Sequence, residues 1–575
     1  MSSVAALFAL LPLIASVSEG EGVRRVKAHL SIDDSSSAVE EAAHLAESYP
    51  DSSDVARSLL QALAAAEKEE ELWFAWDHYS FRYPHLIDDR ALLEELSWTV
   101  LRRGLASKQN SVRLSALIGV YLTQGCRSIP ILKKMMSDAN AIIRLVAVQM
   151  SADYGDAPLK EEIARLLVEE KVWMVRLQAI KSAGALRIKE LIPRLQTIVQ
   201  SDRVTYEERE AAIEALLAIY EKLDLSEWRA LARSNRAGMR LLACSIAAHF
   251  EMEETRQEIV ELLSDPHPDV RVAALNAFGL FFRHSFSEEE SFSLLNKRLE
   301  ESHPSVSITA AWAAMLINPE KADAPFRRWI QDNYPESRRL AAAALAATGG
   351  FGAPLAQELL QETEDSYVRA NLALGLIGQR LEVALCCDAL YSFMEKERRM
   401  WMWDQQGNPL FKVLAPSQVH YMDQIPNYPE AIDQMTRLEL CSLLAIVEDP
   451  RALNALKVFL QQRRWGISGV AAATLLQEGD ESSLSLVREL MEESDPNVQL
   501  QACLVLAMLG KDPLALPVLQ NAYPLANHER KLHILEALGH LGSMSSVPFL
   551  LTVFKEPFPI LRIAAAASLI QCVHR

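Results

Sequence analysis

The sequence predicts an all-α chain, a curved α-solenoid of about 14 helix-turn-helix repeats, and three observations predict it. A short motif of an aliphatic residue, an arginine and an alanine three positions later recurs at a nearly constant spacing. A second apolar segment, often opened by proline, precedes most copies of that motif. Half of the residues are apolar and 23% are charged, with 25 Pro and 21 Gly, so the chain folds and is neither collagenous nor of low complexity. A chain of 575 residues could make roughly four domains of ~150 residues, but a fixed period points instead to a repeat array. The 58 Lys and Arg against 76 Asp and Glu leave a net charge of −18, which argues against a surface that grips nucleic acid or anionic lipid along its whole extent.

At the amino terminus, residues 4–15 (VAALFALLPLIA) are followed by SVSEGEG. The run has the apolar core of a secretory signal, yet no Lys or Arg precedes it and no A-x-A site ends it. Residues 1–18 are therefore a possible signal peptide or a first helix. The first reading places the protein in the periplasm or cell envelope, the second in the cytoplasm. No other stretch approaches the ~20 apolar residues of a membrane span.

Residues 35–105 are helical but lack the recurring motif. Within them 47–63 and 81–97 align, Tyr49 and Pro50 recurring as Tyr83 and Pro84, 34 residues on. That pair of segments resembles tetratricopeptide hairpins; two helical hairpins capping the array is the other reading.

From 106 to 575 the motif dominates: SVRLSA, IIRLVA, MVRLQA, GMRLLA, DVRVAA and ILRIAA. Its arginine position runs through Arg113, Arg144, Arg176, Arg209, Arg240, Arg271, Ser307, Arg339, Arg369, Arg437, Ser468, Gln499, Lys531 and Arg562, at intervals of 30 to 36 residues with one interval of 68. Eleven of these 14 positions are basic and eleven carry Ala at +3, so the period is not accidental. The preceding segments carry Pro130, Pro158, Pro193, Pro325, Pro354, Pro517 and Pro548. Proline costs little in a first helical turn, whose amides have no intrahelical partner. Each unit thus reads as helix, turn, helix, with turn segments such as SDPHPD supplying the cap of the second helix. One unit alone cannot bury its apolar face; stacking buries it continuously.

The proline, the turn acid and the V-R-x-x-A start of the second helix resemble HEAT repeats, specifically the short bacterial PBS-lyase HEAT-like type, over about 110–575. The resemblance implies a ladder of hydrogen bonds between turn acids and arginines, for which Asp138 with Arg144 and Asp265 with Arg271 are the candidates. It implies a non-enzymatic scaffold or adaptor that binds a protein or peptide on a solenoid surface; a lyase or a nucleic-acid binder on the same repeat are the alternatives.

The 68-residue interval carries an insertion, 394–435, rich in Trp, Tyr, Met and Pro. Exposed, its Arg398, Arg399, Trp401, Trp403, Tyr421 and Tyr428 would supply the side-chain types that dominate interface energetics. Folded back, the same aromatics would be buried across neighbouring repeats.

No catalytic signature stands out. Phosphate-loop, dinucleotide, nucleophile-elbow and HExxH patterns are absent, and the GGFG at 349–352 reads as a turn with a left-handed helix end. His528 and Glu529 form one His-Glu pair, where a di-iron site on such repeats would need several. Cys126, Cys244, Cys386, Cys387, Cys441, Cys503 and Cys572 have no metal spacing and read as small buried hydrophobes. The expectation is no catalytic residue, no metal site, no cofactor, no nucleic acid and no membrane span.

Overall fold

Helices follow one another almost without interruption in the computed structural model. It describes residues 18–417 except 202, 222, 398 and 405–406, isolated positions between 436 and 451, and 487–575 except 489, 493–494 and 511. The segment 4–15, Tyr421, Tyr428, Arg398 and Ser468 lie outside the described residues.

The chain divides into two compact units, residues 1–131 with 503–575, and residues 132–502. The first unit contains α1 (Glu19–Ser31), α2 (Ser35–Ser48), α3 (Ser53–Ala65), α4 (Glu69–Arg82), α5 (Arg90–Leu105) and α6 (Asn110–Leu122). Val26, Ala38, Ala42, Leu45, Val55 and Ala62 form the core joining α1 to α3. Tyr49 and Tyr83 end α2 and α4, so each Tyr-Pro pair marks a turn between two helices. The unit also holds the helices Ala515–Ala522, His528–Leu541, Val547–Val553 and Pro559–His574. The terminal helix Pro559–His574 packs against His528–Leu541 on one side and against α5 and α6 on the other. Its Leu561, Ile563, Ala566, Leu569, Ile570 and Val573 are all buried. Arg90 Nη1 donates to Val573 O at 2.9 Å, fixing the helix end.

The second unit is built of helix pairs. Up to Lys396 its helices are α7 (Ser128–Met135), where the division falls, α8 (Ala141–Ser151), α9 (Ala157–Glu169), α10 (Trp173–Ala185), α11 (Ile192–Gln200), α12 (Tyr206–Ile219), α13 (Leu225–Ala232) and α14 (Ala237–His249). They continue with α15 (Arg256–Leu262), α16 (Pro268–Leu280), α17 (Glu288–Leu299), α18 (Pro304–Met315), α19 (Pro319–Ile330), α20 (Pro335–Ala346), α21 (Ala353–Glu362), α22 (Ser366–Gly378) and α23 (Val383–Lys396). The even-numbered helices are the second helices of the repeats, and each packs on the next. The alanines at +3 lie in these contacts: Ala147, Ala179, Ala243 and Ala274 are fully buried. A Cβ on Gly184 would lie 2.7 Å from the Ala215 Cα, so glycine sets the close approach of α10 to α12.

Local chemistry explains the boundaries. Asn140 caps α8 by accepting from Ile142 N at 2.9 Å, and Asp365 caps α22 by accepting from Tyr367 N at 3.0 Å. Thr205 and Glu208 form a reciprocal capping box on α12. After α10, α14 and α22 the chain turns through left-handed Arg187, Glu251 and Arg380. The next amide then reaches back to close the helix: Ile188 N to Ala183 O, Met252 N to Ala247 O and Leu381 N to Leu376 O, each 3.0 Å. In the GGFG turn Gly349 has φ +62, the expected left-handed position.

Two details of the reading are corrected. Pro325 lies inside α19, not in its first turn, because Asn318 caps that helix earlier, at Pro319. Among the described residues the helical pattern is also broken by one two-stranded antiparallel sheet, β1 (Trp401–Asp404) with β2 (Val413–Pro416), in register Trp401 with Pro416 and Trp403 with Leu414. In β2 Val413, Leu414 and Ala415 are buried in succession, so no period-2 alternation announces the strand.

Candidate functional site

In several repeats the arginine has one recurring task. Its Nη1 donates to the carbonyl six residues earlier, at the turn: Arg144 to Asp138 O at 2.9 Å, Arg271 to Asp265 O at 2.7 Å and Arg338 to Asp332 O at 2.9 Å. Those carbonyls lie past the first helix, where no intrahelical donor remains for them. The rest of the guanidinium reaches the acid of the following repeat. Arg144 holds Glu170 at 2.7 and 3.0 Å, Arg240 holds Asp265 at 2.6 and 2.8 Å, and Arg271 holds Glu301.

The ladder expected for Asp138, Arg144, Asp265 and Arg271 therefore exists with different partners. Each arginine uses the main chain of its own turn and the carboxylate of the next one, because the guanidinium fork is long enough to bridge two repeats. The register is corrected at α20 as well, where Arg338 makes the ladder contacts and Arg339 stacks over the Tyr367 ring at 4.8 Å. Where Ser307 replaces the arginine, Arg328 substitutes: it donates to Leu299 O at 2.8 Å and to Ser307 Oγ at 2.7 Å.

The hairpin β1–β2 lies on the second-helix face formed by α16, α18, α20 and α22. Asn371, in the middle of α22, faces Leu414 with its whole amide group. Its Nδ2 donates to Leu414 O at 3.0 Å and its Oδ1 accepts from Leu414 N at 2.8 Å. An asparagine amide carries one donor side and one acceptor side, which match the two polar groups of an extended residue. Asn371 is 1% exposed, so both contacts are made out of water, where unmade ones would be costly.

At the hairpin turn, Asn408 exchanges two hydrogen bonds with Asn276 of α16, at 2.8 and 3.0 Å, and donates to Thr309 Oγ1 of α18 at 2.9 Å. Gly407 has φ +93, and a Cβ there would meet Ser305 Oγ at 2.9 Å, so glycine lets the turn lie flat on α18. Phe411 packs edge-on against Trp312, with ring centroids 5.7 Å apart, and Trp401 against Phe393, at 4.8 Å.

This geometry sorts the residues expected to meet a partner. Trp401 is fully buried, which removes it as a surface contact: the fold-back places its ring against α23. Trp403 is partly buried under Lys412, whose Nζ lies 4.3 Å from the ring centroid. Arg399 is exposed. Arg398, Tyr421 and Tyr428 are outside the described residues. Asn276, Thr309, Asn371 and Asn408 were not anticipated. The available signal was a polar side chain at an interior position of an apolar helix, as in SYVRANLALGLIG, which must find partners once buried.

Among the described residues no group of three His, Cys, Asp or Glu is placed to hold a metal ion, and no helix is long and apolar enough to cross a membrane. Arg451 hydrogen-bonds Asp449 and holds its carboxyl down at about 2, while burial pushes the thiols of Cys387 and Cys386 up to about 11 and about 12, away from nucleophilic reactivity. Burial alone would raise Glu170, but the hydrogen bonds from Arg144 and the Val172 amide leave it below the usual carboxylate range. In the first unit a cavity of about 380 Å³ is bordered by Glu69, which pairs with Arg103 at 3.0 Å and lies 3.9 Å from Arg562.

Sequence models of HEAT repeats match residues 129–217 and, for a single HEAT repeat, 257–285. A comparison with curated proteins gives no match. Among solved structures, the myosin chaperone UNC-45 from C. elegans in complex with an Hsp90 peptide is 13% identical, with 96% of this chain and 81% of that chain covered at a TM-score of 0.37. Kap121p is 11% identical, with 92% and 80% covered at 0.30. A chain of a homology model of the full-length AP-3 complex in an intermediate open conformation is 12% identical, with 80% and 94% covered at a TM-score of 0.32.

Proposed function

We propose that this α-solenoid of HEAT repeats is a non-enzymatic scaffold whose second-helix face binds a protein or peptide partner in extended conformation. One observation supports the reading above all: Asn371 already holds both main-chain groups of an extended residue, Leu414, on that face. Recognition of this kind is generic in the main chain and selective through the pockets between side chains. The finer assignments belong to the same proposal: repeats of the PBS-lyase HEAT-like type, tetratricopeptide-like hairpins over 35–105, and export directed by residues 4–15.

The test is capture of a partner from the native host by the full chain, followed by cross-linking. Cross-links from the partner to α16–α22 support the scaffold reading. A chain that captures only nucleic acid, released by salt, or that is purified with stoichiometric metal and turns over a substrate, contradicts it.

A further inference from the structure

The hairpin sits on the second-helix face as a bound peptide would. Among the described residues strand β2 pairs only with β1; it packs on α20 and α22, and its main chain is read by a side chain of α22. The contacts are complete: Phe411, Val413, Leu414 and Ala415 are at most 5% exposed, and the polar groups of Asn408 are all taken up by α16, α18 and Leu410 N. Yet none of the helices needs the hairpin for its own main-chain bonds, and the stack α16, α18, α20, α22 is continuous beneath it. Such a layout separates the face from its occupant.

We propose that residues 401–416 are an exchangeable occupant, held in cis on the face that the scaffold offers to a partner, and that the partner is a protein segment of the same chemistry: extended, with an aromatic residue two positions before a Val-Leu-Ala-Pro-like apolar run. The inference rests on the scaffold reading and adds regulation to it. While the hairpin is seated, the competent fraction of the face is small, and the apparent affinity for the partner falls by that fraction. A partner that displaces β2 recovers the contacts of Asn371 and the pocket beside Trp312.

The experiment uses the full chain and a synthetic peptide of residues 410–417 (LFKVLAPS) as the probe. The double variant Trp401→Ala with Asn408→Ala loosens the hairpin without altering a residue of the face. It is expected to bind the peptide at least ~tenfold more tightly than the unaltered chain, with unchanged helical content. Adding Asn371→Ala should abolish the gain, because the main-chain reading is lost. Equal affinity in the two chains overturns the proposal. So does a gain that survives Asn371→Ala, which would place the peptide elsewhere. Loss of helical content in the double variant overturns it too, since the hairpin would then be core. The scaffold reading is judged separately: if the unaltered chain captures a native partner while hydrogen exchange in 401–416 stays unchanged, the scaffold stands and the exchange mechanism falls.

Discussion

Arg240 and Asp265, 25 residues apart, are joined by two parallel hydrogen bonds of 2.6 and 2.8 Å, while the main-chain carbonyl of that same Asp265 accepts from Arg271. One aspartate thus ties its own repeat to the one before it. The pattern repeats at Glu170, whose carboxylate serves Arg144 and whose carbonyl accepts from Arg176 at 3.3 Å. Stability in such an array is a sum of neighbour terms, and the arginine ladder is the polar part of that sum.

Arg240→Ala leaves the carboxylate of Asp265, at 7% residue exposure, without its cation and with the His267 amide as its remaining donor. The expected cost is ~2 to 4 kcal/mol, measured by urea titration. Arg240→Lys should recover only part, because an ammonium cannot make the two parallel bonds. Arg271→Ala should cost less than Arg240→Ala, because Glu301 keeps Arg298 at 3.1 Å.

Acid should weaken the ladder. The folded carboxyl of Glu170 lies below its ordinary value of 4.5, so its stabilisation is complete above that value and is lost as pH falls through the folded one. Melting curves near pH 6 and near pH 3 should therefore show a smaller drop for Arg144→Ala than for the unaltered chain. Equal drops would assign the acid sensitivity to other carboxylates.

At Ser307 the array departs from its own rule, and the departure is compensated. Ser307 Oγ donates to Leu299 O at 2.6 Å and accepts from Arg328 and from Trp329 Nε1, the latter at 2.9 Å. Ser307→Ala should lower stability by ~1 to 3 kcal/mol in chemical denaturation. Ser307→Arg, which restores the consensus, should do more harm, because the site is fully buried and Arg328 already fills it.

The terminal helix Pro559–His574 should behave as core. A Cβ on Gly104 of α5 would meet Ile563 Cδ1 and Ala116 Cβ, both at 2.8 Å, so Gly104→Val is expected to cost ~1 to 3 kcal/mol through overpacking. Removing 559–575 uncovers the apolar faces of α5 and α6, and light scattering should then report association. A monodisperse truncated chain would contradict the packing.

Of Arg399, Trp401 and Trp403, the expected contacts of the insertion that are described, Arg399 is the exposed one. Arg399→Ala should change stability by less than ~0.5 kcal/mol. Calorimetric titration with a captured partner reads the other half of the claim, a weakening of ~tenfold, or ~1.4 kcal/mol.

The repeat was legible because burial imposes a period: Arg and the +3 alanine return to the same helix face in most units. Its partners were displaced by one repeat, since a turn acid and an arginine six residues apart look adjacent in sequence, whereas the guanidinium bonds that acid's carbonyl and passes over to the next turn. The insertion was legible as a break in the period, but not its burial. Trp401 and Trp403 are the same residue type two positions apart, and only the helices beneath them decide which ring is enclosed. Asn371 was passed over because one buried amide in an apolar helix carries no spacing signal; its meaning comes from Leu414, 43 residues away in sequence.

The most direct test of the account is hydrogen–deuterium exchange on the full chain with and without a captured native partner. If the second-helix face is the binding surface, the partner should slow exchange in α16, α18, α20 and α22 and change it in residues 401–416. Protection confined to other helices, with those segments exchanging as in the free chain, would contradict it.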